Sequence, residues 1–269
     1  MNRSTLAILG NEAVAIMKRG TYRAPSGAEV SIADAQARAV AATREYPPTG
    51  GDLREPRHDR ATRFEVTPET TLEAAARLAS ARPLALNFAS ATKPGGGFLS
   101  GAQAQEESIA RSSSLYATIV DREMHRHHGH PRNPMYTSWA ITSPDVPVFR
   151  NDDGTLLERP YPTCFLASAA VNAGEVLAHD PSRASDIMRV MRERIARVLA
   201  ICAHEDHATL ILGAWGCGVF RNDTEDVALA FREALDGPFV GAFDHVVFAV
   251  FDTSTELRFR GPFVRRFAG

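Results

Sequence analysis

Apolar positions recur at helical spacing twice in the first fifty residues. Leu6, Leu9, Ala13 and Ile16–Met17 form one stripe, and an alanine-rich stretch from Ile32 to Tyr46 forms a second. Beyond them strand-like and helix-like segments alternate: Arg63–Val66, Glu69–Ser80, Leu84–Phe88, Glu106–Ile119, Met135–Ile141, Thr163–Ala170, Ile187–His204, Thr209–Leu212, Thr224–Leu235 and His245–Phe251. The clearest helix has Ile187, Val190, Met191, Ile195, Val198, Leu199 and Cys202 on one stripe, the pattern of a packing helix. Leu84–Phe88, Thr209–Leu212 and His245–Phe251 are short apolar runs, as expected of strands covered on both faces. The alternation predicts an α/β layer sandwich, with these three strands at the centre of its sheet.

Pro47, Pro48, Gly50 and Gly51, followed by the charged run Arg54 to Arg60, predict an exposed, mobile connection between residues 1–50 and a core of residues 51–269. With 269 residues, 44% hydrophobic and 23% charged, the chain has enough apolar surface to fold and is neither disordered nor fibrous. Its formal net charge of −2 disfavours general nucleic-acid binding, which needs excess positive charge. Cys164, Cys202 and Cys217 are odd in number and widely spaced, which suggests neither a disulfide framework nor a thiolate zinc site. No run of 18 apolar residues occurs, so a soluble cytoplasmic protein is expected.

Two glycine-rich loops are the candidate chemistry. Gly95, Gly96 and Gly97 follow a strand that ends near Asn87, and a run without side chains lets a ligand approach the backbone closely. Seven residues later Gln105–Glu106–Glu107 opens a helix. Acidic residues in a first helical turn also suit the helix dipole and alone would carry no more than that. Beneath a glycine loop they suggest an active site. The second loop, Gly213-Ala-Trp-Gly-Cys-Gly-Val-Phe220, lies between a strand and a helix entered through Asn222–Thr224. Backbone N–H groups and a helix N-terminus can hold phosphates there without lysine. Its spacing fits neither the dinucleotide GxGxxG nor a P-loop. His125, His127, His128 and His130 invite a metal reading, but the spacing is not that of a ligand set and a polar loop is expected. Trp215 and Tyr116 are expected to pack in the interior rather than to stack on a ligand.

The arrangement GGG-FLSGAQA-QEE, together with NFASATKPGGG, ITSPDVPVFRND, FLASAAVN and GAWGCGVFRND, resembles the bacterial-type poly(ADP-ribose) glycohydrolases over most of the chain. The resemblance implies a three-layer α/β/α macrodomain-like sandwich with a mixed central sheet and a helical N-terminal extension. It also implies hydrolysis of the ribose–ribose O-glycosidic bond of poly(ADP-ribose). By the same resemblance Glu107 is the catalytic glutamate and Glu106 its partner that holds ribose hydroxyls. Gly95, Gly96, Gly97 and Gln105 complete the catalytic loop, and Asn87 is a ribose ligand. Gly213, Ala214, Gly216, Cys217, Gly218 and Val219 form the diphosphate loop, and Phe220 packs on the distal ribose. Expected partners are poly(ADP-ribose), ADP-ribose and ADP-ribosylated proteins, on a monomer with no direct nucleic-acid or membrane contact. No metal or other cofactor is required.

Cleaving an acetal needs a proton on the departing oxygen and support for an oxocarbenium-like centre, for which glycosidases usually employ two carboxyl groups. Adjacent helical side chains point about 100° apart, so Glu106 and Glu107 cannot flank one bond symmetrically. One acid, Glu107, is therefore expected to protonate the ribose 2′ oxygen and then activate water, while Glu106 orients the sugar. Burial under the ribose, the Glu106 charge and the substrate diphosphate would favour a protonated Glu107. A non-catalytic ADP-ribose reader is the alternative on the same fold. A metal-dependent phosphatase or NTPase lacks both a metal-binding carboxylate set and a Walker lysine here.

Overall fold

A computed structural model of the chain describes residues 1–49, 52–129 and 133–268. It opens with α1 (Arg3–Arg19), a hairpin of β1 (Thr21–Arg23) and β2 (Glu29–Ser31), α2 (Ala33–Ala42) and β3 (Arg44–Tyr46). There follow β4 (Arg63–Thr67), α3 (Thr71–Arg77), β5 (Leu84–Phe88), α4 (Gln105–Ser112), α5 (Leu115–Ile119) and α6 (Glu123–Gly129). Two long strands, β6 (Ala140–Arg150) and β7 (Leu156–Ser168), precede α7 (Ala173–His179), α8 (Ala184–His204), β8 (Thr209–Leu212), α9 (Thr224–Asp236), β9 (His245–Ala249) and α10 (Arg260–Phe267).

Seven strands make one mixed sheet in the order β3-β6-β7-β5-β8-β9-β4. The five from β7 to β4 run parallel, and β6 and β3 are added antiparallel at one edge. The strand periodicity of two sorts the side chains onto opposite faces. Leu84, Leu86, Leu166, Leu210, Leu212, Val246 and Phe248 pack with residues of α7 to α10, including Met191, Val198, Phe231 and Phe263. Ala85, Phe165, Ala167 and Ile211 point the other way, toward Leu72, Ile109, Leu115 and Met124 on α3 to α6. The result is the expected α/β/α sandwich, with β5, β8 and β9 inside the sheet. Asn87 has the parity of Ala85 and so lies on the face that α4 covers.

A third cluster joins Ala13, Ile16 and Met17 of α1 to Tyr22 and Phe149, fixing α1 and its hairpin against the long β6 strand. The helix expected from Ile32 to Tyr46 stops at Ala42, and Arg44–Tyr46 instead pairs with Thr142–Ala140 as the edge strand. Pairing with β6 outweighs local helix propensity in this segment. Glu106–Ile119 is two helices rather than one. Ser113 is extended and bridges Val148, while its hydroxyl accepts from Leu115 N–H and donates to Ile109 C=O, a side-chain alternative to the helix ladder. The charged connection is exposed at Arg54, Glu55 and Arg57–Asp59 yet tied down, since Arg54 N–H donates to His204 Nδ1 and Arg60 N–H to Gly241 C=O. Gly50 and Gly51 lie outside the described residues. No helix among the described residues is long and apolar enough to cross a membrane.

Candidate active site

Because β5 and β8 are parallel neighbours, the loops that leave their C-terminal ends emerge side by side, where open α/β sheets bind ligands. A side chain at Gly213 would meet Phe88 Cζ at 3.1 Å and Ala249 O at 2.8 Å, so the two glycine loops start in contact.

The first loop runs from Ala89 to Ala104 and delivers the chain into α4. Gln105 fixes that junction: its Oε1 accepts from Phe88 N–H at 2.9 Å, and its Nε2 donates to Leu86 O at 2.7 Å and Thr71 Oγ1 at 3.1 Å. Its amide thus extends the hydrogen bonding of β5 and locks the helix start onto the strand end. Gly95 and Gly96 have φ of +70° and +60°, a region that side chains disfavour. Gly97 has ordinary φ and donates its N–H to Glu107 Oε1 at 2.9 Å.

The two glutamates occupy different environments. Glu106 is buried at 3% exposure, with Oε2 accepting from Ser90 N–H at 2.7 Å. Burial pushes its carboxyl well above the ordinary carboxylate range, aided by the Glu107 charge and opposed by the Ser90 N–H, the nearby Asn87 amide and the Gly95 backbone. Among the described residues Glu106 Oε1 and both polar atoms of Asn87 find no hydrogen-bond partner. Buried polar atoms without partners are costly, and three together on one floor form a cluster suited to ligand hydroxyls. Glu107 is half-buried beside Gly96.

The second loop is built from its own backbone. Gly216 adopts φ +76°, its carbonyl accepts from Asn222 N–H and Asn222 Nδ2, and a Cβ there would lie 2.5 Å from Ala170 Cβ. The N–H groups of Gly218, Val219 and Phe220 take no partner among the described residues, and Val219 is 82% exposed. Those amides are free to bind an anion. Trp215 is in the core, as expected, and Tyr116 packs on Phe98 with ring centroids 5.0 Å apart. Cys217 points inward, where burial raises its thiol to about 12, so its backbone is what the loop can offer a ligand. Ala214 and Phe220 are half-buried on the same loop.

Beside Phe220 stands Tyr136, with ring centroids 6.1 Å apart and a strained φ of +52°. No local sequence pattern signals this neighbour, because a distant loop supplies it. The histidine segment departs from expectation: His125–Gly129 belongs to α6, and His125 and His128 are buried. His128 caps a turn through Met124 O and Thr137, whereas neither ring nitrogen of His125 has a hydrogen-bond partner among the described residues. His130 lies outside the described residues. No group of three histidine, cysteine or acidic side chains gathers as a metal set among the described residues.

Paired glutamates beside one glycine loop and unpartnered backbone amides on a second loop thus lie at the same end of a mixed, macrodomain-like sheet. The family model described as microbial-type PARG, catalytic domain, matches residues 10–151. The poly(ADP-ribose) glycohydrolase of Thermomonospora curvata bound to the inhibitor ADP-HPD is 47% identical, covering 98% of this chain and 100% of that one, with a TM-score of 0.90. The enzyme of Deinococcus radiodurans in complex with ADP-ribose is 43% identical, covering 86% of this chain and 96% of that one, with a TM-score of 0.82. Among curated proteins none matches. The chain belongs to the microbial-type poly(ADP-ribose) glycohydrolases.

Proposed function

We infer that this chain hydrolyses the ribose–ribose O-glycosidic bonds of poly(ADP-ribose) and releases ADP-ribose, with Glu107 as general acid and base. The observation that carries this reading is the meeting of two loops at the C-terminal ends of the central strands β5 and β8. One bears a half-buried glutamate held by Gly97 N–H, and the other bears unpaired backbone amides. A diphosphate on the amides of Gly213 to Val219 would anchor the nucleotide and set its distal ribose over Gly95–Gly97, with Phe220 packed on that ribose. Glu106 Oε1 and Asn87 would then take the ribose hydroxyls. A neutral carboxyl, which burial favours at Glu106, both donates and accepts there.

Gly97 N–H occupies one oxygen of Glu107, leaving Oε2 for the proton that goes to the departing ribose 2′ oxygen. As that bond breaks, the anomeric carbon becomes oxocarbenium-like. Water then attacks this carbon and returns a proton to Glu107. A reader that binds without cleaving has no use for a carboxylate pair in this position. Residues 1–50 would form an extension that packs on the catalytic core and lends β3 to the edge of its sheet, and the enzyme would work as a cytoplasmic monomer on the polymer of ADP-ribosylated proteins.

Crystals soaked with ADP-ribose test the assignment. The expected result is diphosphate on the 213–219 loop and the distal ribose above Glu106 and Glu107. A ligand bound elsewhere, or a Glu107 out of reach of the anomeric carbon, contradicts it.

A further inference from the structure

Behind Glu107, one turn further along α4, lies Arg111, 4% exposed. Among the described residues no carboxylate forms a salt bridge with it, although Glu107 and Asp152 attract it at longer range. A buried cation without a bonded counter-charge is destabilising relative to an apolar side chain of similar volume, so packing alone gives no reason to keep it. Its hydrogen bonds do. Nη1 donates to Ala102 O at 2.7 Å, in the spacer between the three glycines and Gln105. Ala102 N–H donates to Gly97 O at 3.1 Å, and Gly97 N–H donates to Glu107 Oε1 at 2.9 Å. Three consecutive hydrogen bonds thus connect the guanidinium to the carboxylate.

Arg111 is itself held from behind. Arg150, 1% exposed, donates Nη1 to Arg111 O at 2.8 Å and to Leu9 O at 2.9 Å, and its Nη2 reaches Glu12 Oε2 at 2.6 Å. Helix α1 therefore braces the far end of α4 while Arg111 braces the spacer.

We propose that Arg111 is a positioning residue, which holds Ala102 and through it Gly97 so that Gly97 N–H fixes one oxygen of Glu107 and leaves the other for proton transfer. This rests on the assignment of Glu107 as the acid. Loss of the Arg111 guanidinium frees the spacer, and the effect falls on turnover rather than on the diphosphate loop.

The test is steady-state kinetics on poly(ADP-ribose) with Arg111→Met and Arg111→Lys, normalised to folded protein, alongside calorimetric binding of ADP-ribose. Arg111→Met is expected to lower kcat by about tenfold or more, with KM and ADP-ribose affinity within about twofold of wild type. Arg111→Lys, whose ammonium can still donate toward Ala102 O, restores most of the turnover. Unchanged kcat in Arg111→Met, an affinity loss that parallels the kcat loss, or a Lys variant no better than Met overturns the proposal. If Arg111→Met does not fold, Arg111→Gln, whose shorter amide falls short of Ala102, is judged by the same criteria. Glu107→Gln is measured in parallel: full activity there refutes the role of Glu107 itself, whereas an inactive Glu107→Gln leaves the Arg111 variants to judge the relay alone.

Discussion

Gly96 and Glu107 are packed so closely that a Cβ on Gly96 would stand 2.2 Å from Glu107 Oε1 and 3.0 Å from Glu106 Oε2. The glycine is thus required twice, by its φ of +60° and by the carboxylates that occupy the place of its missing side chain.

Gly96→Ala separates stability from activity. The colliding atoms are the ends of side chains that can swing away, so the fold should lose only the cost of a non-glycine left-handed residue, about 1–2 kcal/mol. Displacing the acid by about 1 Å should lower kcat by about a hundredfold. Thermal melting and turnover on the same preparation check this; a variant with near-normal turnover would mean that the carboxylate position is not critical.

Glu106 should make stability depend on pH in a defined direction. Its folded-state pKa is raised, so its contribution is fully present below the unfolded carboxylate value and is lost as pH rises through the folded value. Glu106→Gln, which cannot ionise, should therefore melt higher than wild type at neutral and alkaline pH, with the advantage vanishing near about pH 4. Melting curves from acid to alkaline pH measure it, and a gap that widens toward acid would reverse the sign.

His125 acts in the opposite sense. Burial lowers its pKa to about 4, so the unfolded chain takes up a proton from about pH 6.5 downward while the fold does not. The stability present above the unfolded value is lost as pH falls toward the folded one, on the order of 3 kcal/mol in all. His125→Leu should flatten urea-unfolding stability between pH 7 and pH 4. An unchanged slope would show that other groups carry the acid sensitivity.

Gly216→Ala should damage the other half of the site. The new methyl would meet Ala170 Cβ at 2.5 Å and Asn222 Nδ2 at 2.6 Å in a left-handed backbone, displacing the side chain that ties the loop to Val171 O. ADP-ribose affinity should fall about tenfold or more, measured by calorimetry, because the amides proposed to hold the diphosphate would lose their common geometry. Normal affinity would place the phosphates elsewhere.

How far the sequence could be read depended on what each residue's neighbours are. The central strands were legible because β5, β8 and β9 are covered on both faces and so are apolar at nearly every position, Asn87, Thr209 and His245 excepted. The edge strand Arg44–Tyr46 was not, since its pairing partner is nearly a hundred residues away and its local propensity reads as helix. The break at Ser113 depends on a bridge to Val148 that no local pattern announces. The glutamate pair and both glycine loops could be located because each glycine loop directly follows an apolar strand and the three glycines stand seven residues ahead of Gln105–Glu107. That Gln105 binds the strand backbone, that Ser90 N–H holds Glu106, and that His125 is buried follow only from tertiary packing.

The most direct measurement is release of free ADP-ribose from purified poly(ADP-ribose) by the wild-type chain and by Glu107→Gln, both in EDTA. The account predicts undiminished release by wild type and a loss of about 10²- to 10⁴-fold in the variant, with ADP-ribose still bound. Turnover retained by Glu107→Gln, or wild-type release abolished by the chelator, would contradict it.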